Sequence, residues 1–108
     1  MPTNSKGLIE LDAILDRERL SLVRVLLDHK ALYLTEIANI SKTDRATSAY
    51  HLGVLEKAGI VSSEYRLLRE AKFKGKAARF YSLNHDKLDQ ALREIAKIIP
   101  SKFLALHE

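Results

Sequence analysis

The chain has 108 residues, enough for one domain and too few for two, with 46% hydrophobic and 30% charged residues. That balance supports a packed core and argues against disorder. The absence of cysteine excludes disulfides, thiolate metal sites and cysteine redox chemistry, and no stretch approaches the ~20 apolar residues of a membrane span.

The opening, residues 1–7, is a polar, flexible leader without the apolar run of a secretion signal, so the expected location is cytoplasmic. Leu8, Ile9, Leu11, Ile14 and Leu15 then predict a helical segment, with a boundary near Asp16. Leu20, Val23, Leu26 and Leu27 recur at helical spacing up to Asp28. Leu32-Tyr33-Leu34 is a short β-prone piece, and Thr35 is the expected N-cap of a compact helix through Ile40. Ser41 to Asp44 reads as a turn, with Thr43 or Asp44 capping a helix from Arg45 to Ala58 that Gly59 ends. The inward stripe of that helix is expected to be Leu52 and Leu55 with Ala49 and Ala58. Its opposite face then offers Arg45, Thr47, Ser48, Tyr50 and His51, donors and acceptors suited to base edges and phosphates.

Ile60–Leu68 and Ala78–Leu83 predict two strands, joined through Lys74-Gly75-Lys76 into a hairpin. Asn84-His85-Asp86 is expected to cap a final helix. Its Leu88, Leu92, Ile95 and Ile99 step by four, three and four, a seam wide enough to meet another helix.

The net charge of +4 is concentrated in that hairpin. Between Ser62 and Tyr81 stand Arg66, Arg69, Lys72, Lys74, Lys76 and Arg79 against Glu64 and Glu70, while the rest of the chain carries twelve basic and twelve acidic residues. Concentrated positive charge fits a polyanion partner. Lysines that protect exposed strand edges would give the same pattern.

The run Thr35-Glu36-Ile37-Ala38, followed by His51-Leu52, Leu55-Glu56 and Ala58-Gly59-Ile60-Val61, resembles the winged-helix regulators of the ArsR and MarR type. Phe80-Tyr81-Ser82-Leu83 is similar to the end of their wing, and Asp16 to Leu20 with Val25-Leu26 to their first helix, so the likeness spans residues 12–84. Two positions depart from the pattern. Lys42-Thr43 stands where the families usually carry Gly and an apolar residue, and Ser48-Ala49 stands where they usually carry Val or Leu and then Ser. The second departure implies a recognition helix rotated slightly in its seat or a smaller pocket beneath it.

The resemblance implies a mainly α fold with a small β-hairpin: a winged helix-turn-helix in the order α-α(β)-α-α-β-β-α, with a long C-terminal dimerisation helix. One winged-helix domain over 1–108 would comprise the leader 1–7, an N-terminal helical extension 8–15, a core 16–84, and a C-terminal helix and tail 85–108. The implied function is sequence-specific binding of double-stranded DNA by a homodimeric, nucleoid-associated transcription regulator. Recognition helix 45–58 would enter the major groove, and wing 66–79 would lie on the backbone or in the minor groove. Expected DNA contacts are Thr35, Thr43, Arg45, Thr47, Ser48, Tyr50 and His51, with Arg66, Arg69, Lys72, Lys74, Lys76 and Arg79 on the wing. The expected dimer interface is Leu8, Leu11, Leu15, Leu88, Leu92, Ile95 and Ile99.

No nucleophile elbow, phosphate-binding glycine loop or metal-ligand spacing is present, so neither enzymatic activity nor a cofactor or metal is expected, and no effector is indicated. His85 with Asp86 and Asp89 could begin a metal site, but the rest of a ligand set is missing and Asp86 is explained by the helix start. Gly53, in the middle of a helix, implies close approach to another backbone or to DNA. Alternatives are a winged helix serving as a protein-interaction module, or a nonspecific chromatin-like DNA-coating protein. Low Gln and abundant Ile, Leu, Lys and Arg lean towards a thermophilic, archaeal source.

Overall fold

The computed structural model describes residues 7–68 and 75–98. Arg69, Lys72, Lys74 and Ile99, expected at the wing and at the dimer seam, lie outside them.

Helix α1 spans Leu8–Ile14, and α2 spans Arg17–Asp28. Asp16 is the N-cap of α2, its Oδ1 accepting from the N–H groups of Glu18 and Arg19 at 2.9 and 3.1 Å. Strand β1, Leu32–Tyr33, runs directly into α3, Leu34–Ser41. The expected cap Thr35 is therefore inside the helix. Tyr33 is the N-cap, and its N–H donates to Glu36 Oε1 at 3.1 Å, so the residue three places on closes the start.

Helix α4 covers Arg45–Lys57, β2 covers Val61–Leu67, β3 covers Ala77–Leu83 and α5 covers His85–Ile98. Gly59, at φ 84°, takes the left-handed conformation that ends α4 and turns the chain into β2. Asn84 Oδ1 accepts from Lys87 N–H at 3.2 Å at the start of α5.

The sheet is antiparallel with strand order β1-β3-β2. Val61 pairs with Leu83, Ser63 with Tyr81 and Tyr65 with Arg79, while Leu32 pairs with Tyr81 and Tyr33 with Phe80. Because alternate residues share a face, Leu32, Val61 and Leu83 turn into the core, and all three are buried. The core joins these to Leu22, Val23, Val25 and Leu26 of α2, Ile37 of α3, Leu52 and Leu55 of α4, and Ile60.

Helix α1 contributes Leu11, Ala13 and Ile14 to the same core and packs on α5, which adds Leu88 and Ala91. This corrects two residues expected at a dimer interface. Leu11 and Leu88 are each 7% exposed and fill their own chain's core, whereas Leu8, Leu15 and Leu92 are exposed and Ile95 is half-buried. The α1–α5 contact is close at Gly7 (φ 89°), where a Cβ would sit 2.9 Å from the Gln90 carbonyl oxygen.

Among the described residues, no helix is long and apolar enough to cross a membrane, and no group of His, Asp and Glu is placed to hold a metal ion.

Candidate nucleic-acid interface

Helices α3 and α4 are joined through Lys42, which stands at φ 58° and ψ 38°. The turn thus keeps the left-handed geometry that glycine adopts freely, at a steric cost to the lysine. Thr43 N–H closes it on the Ala38 carbonyl at 3.1 Å, and the Thr43 hydroxyl donates to the Ser41 carbonyl at 3.4 Å. Asp44 caps α4, its carboxylate accepting from the N–H of Thr47 at 2.7 Å and from its hydroxyl at 2.9 Å. Those two bonds, the backbone one first, hold the Asp44 carboxyl below its ordinary range.

The inward face of α4 is Ser48, His51, Leu52 and Leu55, all buried. This corrects the expected phase of the helix. Ser48 is 0% exposed and its Oγ has no hydrogen-bond partner, so it sits beneath the helix and not on a DNA-facing side. His51 is 8% exposed and meets Arg19. Ala49, expected inside, is exposed along with Arg45, Ala46, Tyr50, Gly53 and Lys57. The outward strip is therefore nearly bare backbone around Ala46, Ala49 and Gly53, flanked by Tyr50 at 65% exposure.

On the wing, Arg66 donates to Glu64 Oε1 from Nη2 at 2.6 Å and from Nε at 3.1 Å, and its guanidinium lies 5.2 Å from the Phe80 ring centre. The guanidinium of Arg79 lies 5.0 Å from the ring centre of Tyr65. The Tyr65 phenol, followed by a hydrogen bond with Tyr81, raises the Arg79 pKa further above its ordinary value. The Leu68 N–H donates to the Lys76 carbonyl at 2.9 Å, pairing the strands one step beyond β2.

These pieces meet at a cleft of about 750 Å³ between the wing and the starts of α3 and α4. Thr35, Arg45, Lys76 and Arg79, four of the residues expected to contact DNA, line it together with Tyr65 and Tyr81. Among the described residues its lining contains three cations and no carboxylate. Tyr65 and Tyr81 were not among the residues expected to contact DNA. Their positions opposite Arg79 and Ser63 follow from strand register, which turn composition alone does not set. Thr47, Ser48 and His51 are not part of this lining.

Residues 14–64 match the family model of a helix-turn-helix domain. No curated protein sequence matches the chain. Among solved structures, the fold is similar to a protein described as a possible transcriptional regulator for arsenical resistance, at TM-score 0.68 and 21% identity over 92% of this chain and 95% of that one. It is also similar to the homodimeric winged helix-turn-helix DNA-binding domain of a possible ArsR-family regulator from Mycobacterium bovis, at TM-score 0.59 and 18% identity over 84% and 78%. A third is the transcriptional repressor BigR from Xylella fastidiosa, at TM-score 0.59 and 25% identity over 86% and 85%. Residues 14–64 thus match a helix-turn-helix domain, and the chain as a whole has the winged helix-turn-helix fold of these structures.

Proposed function

We propose that this chain is a transcription regulator that binds double-stranded DNA as a homodimer and has no enzymatic activity. The observation that carries the reading is the cleft in which Arg45, Lys76 and Arg79 converge with no carboxylate among its described residues, a lining suited to the phosphodiester backbone. The bare outward strip of α4 can then approach base edges in the major groove, with Tyr50 and Arg45 at its sides. Lys76 and Arg79 serve the wing. Arg66, already engaged by Glu64, contributes less.

A second copy completes the reader. Leu8, Ile9, Leu15, Leu92 and Ile98 are exposed apolar residues on and beside α1 and α5, and the M. bovis neighbour is described as homodimeric. A two-fold pairing through these helices sets two copies of α4 about 34 Å apart, one DNA turn, and implies a pseudo-palindromic site. Such a protein works in the cytoplasm, on the nucleoid.

The test is fluorescence-anisotropy binding to a duplex from the promoter region of the protein's own gene and to a random duplex of equal length, at two salt concentrations. Wild type is expected to bind with a steep salt dependence and to prefer the promoter duplex. An Arg45→Ser, Lys76→Ser variant should lose roughly four units of the log–log salt slope per dimer, about two from each copy. Equal binding to both duplexes would mark a DNA-coating protein, and no binding to either at low salt would sink the reading in favour of a protein-interaction module.

A further inference from the structure

Three helices are tied together at one enclosed side chain. The Nδ1 of His51 on α4 lies 3.1 Å from Nη1 of Arg19 on α2. A guanidinium can only donate, so Nδ1 accepts and the neutral ring carries its proton on Nε2. The same Arg19 donates from Nε to the carbonyl of Ala13 in the last turn of α1. Arg19 is thus a clamp between α1 and the recognition helix.

The other residues of the inward face lack such a tie, since Leu52 and Leu55 are apolar and the Ser48 hydroxyl has no partner. The last turn of α4 is tied separately to β2, where the Ser63 hydroxyl donates to Glu56 Oε2 at 2.6 Å, so His51 sets the middle of the helix. Apolar packing is non-directional and tolerates small rotations of a helix, whereas a hydrogen bond to a ring nitrogen does not. Rotation matters here because the outward strip and Tyr50 are what α4 presents.

Charged groups close around the ring. From α2, Glu18 Oε1 lies 3.7 Å from Nε2 and Asp16 Oδ1 lies 4.0 Å from Nδ1, with Arg19 beside them. On its own helix the Tyr50 ring meets it edge-on with centres 5.1 Å apart. From α1 the approach is the Ala13 carbonyl, through Arg19. Helix α3 and strand β2 also pack on α4 but bring no carboxylate within 4.0 Å of the ring among the described residues. Protonation turns Nδ1 from acceptor to donor and sets a second cation against Arg19. The imidazolium then pairs with Asp16 and Glu18, and Arg19 must leave the ring.

We propose that His51 is the positioning residue of the recognition helix. Its neutral ring holds α4 in register through Arg19, and protonation exchanges that contact for pairing with Asp16 and Glu18, which re-seats the helix and makes DNA reading weaker in acid. This inference rests on the DNA-binding reading above and adds its regulation. Its sign is diagnostic, because acidification otherwise adds positive charge and strengthens binding to a polyanion.

The full chain is tested in two ways at about pH 8 and about pH 6. Hydrogen–deuterium exchange reads the protection of α4 amides, corrected for intrinsic rates, and anisotropy reads affinity for the promoter-region and random duplexes. Wild type is expected to change its α4 protection by about threefold or more on acidification and to lose about fivefold or more of its promoter affinity. His51→Gln, which keeps an acceptor but does not titrate, should show neither change with pH. His51→Leu should be poorly protected at both pH values. Should the leucine variant not fold, wild type against His51→Gln carries the comparison. Wild-type α4 protection that does not respond to pH, or a glutamine variant that follows wild type, overturns the proposal. If neither duplex binds wild type at any pH, the DNA reading fails, and the exchange data still decide whether His51 positions α4.

Discussion

The Nζ of Lys87 lies 3.3 Å from Oε2 of Glu10 across the α1–α5 contact. The stem of the same lysine passes against Gly59, within 3.5–3.7 Å of where a Cβ would stand, so one side chain links α1, α5 and the end of α4. The two partners differ in exposure, 9% for the Glu10 side chain and 42% for that of Lys87.

That asymmetry sets the order of two substitutions. Lys87→Met strips the partner from an enclosed carboxylate and should cost about 1–3 kcal/mol. Glu10→Gln leaves an ammonium that can turn to water and should cost less than about 1 kcal/mol. Urea unfolding at neutral pH checks the ranking. Equal losses would mean that the pair is worth the same from either side and that the enclosure of Glu10 does not set the order.

Ser48 gives a prediction with the opposite sign. Its hydroxyl is buried without a partner, a desolvated group that Ser48→Ala removes while improving helix propensity. Thermal unfolding should show a gain of about 0.5–2 kcal/mol, with promoter affinity unchanged. A loss of affinity without a loss of stability would restore Ser48 to the DNA-facing side.

The element order was legible because each boundary carries local chemistry: Asp16 and Asp44 cap their helices, and Gly59 ends α4 and turns the chain into β2. The phase of α4 was not. Residue polarity puts Ala49 inside and His51 outside, yet the structure does the reverse. What makes a buried histidine tolerable is Arg19, 32 positions earlier, and sequence periodicity cannot see a partner at that distance. The start of α3 shifted for a related reason, since Glu36 reaches back to the Tyr33 N–H and makes Thr35 an ordinary first-turn residue. The cleft was half legible: composition located its cations, and only strand register brought Tyr65 and Tyr81 among them.

Gly53 has no atom within 4 Å of where its Cβ would be, so its own chain does not require a glycine. Gly53→Ala should therefore stabilise α4 by about 1 kcal/mol. Because this position lies on the outward strip, the added methyl should weaken promoter binding even as the melting temperature rises. If both stability and affinity increase, α4 does not seat closely in a groove.

The caps make stability depend on acid in a definite direction. The N–H of Arg19 is the largest influence lowering the Asp16 pKa, as that of Thr47 is for Asp44. A depressed carboxyl contributes stability above its ordinary value, near ~3.9 for aspartate, and loses it as pH falls through the lowered value. Wild type should thus unfold more readily below about pH 4. Asp16→Asn and Asp44→Asn should each show a lower melting temperature at neutral pH and a shallower acid slope, followed by circular dichroism. Parallel slopes for wild type and variants would place the acid sensitivity elsewhere.

The self-association surface can be separated from the core by one pair of substitutions on α5. Leu92 is 50% exposed and Leu88 is 7% exposed, four positions apart on the same helix. Leu92→Glu should leave the monomer folded, because its charge reaches water, while removing apolar area from the proposed contact between copies. Sedimentation velocity should then show a dimer for wild type and a monomer for the variant, with promoter affinity reduced about tenfold or more as two linked half-sites become one. Leu88→Glu buries an unpaired carboxylate in the α1–α5 core and should unfold the chain. A Leu92→Glu variant that stays dimeric and binds as wild type would show that the copies meet through another face. One that is monomeric yet binds normally would show that a single wing and helix suffice.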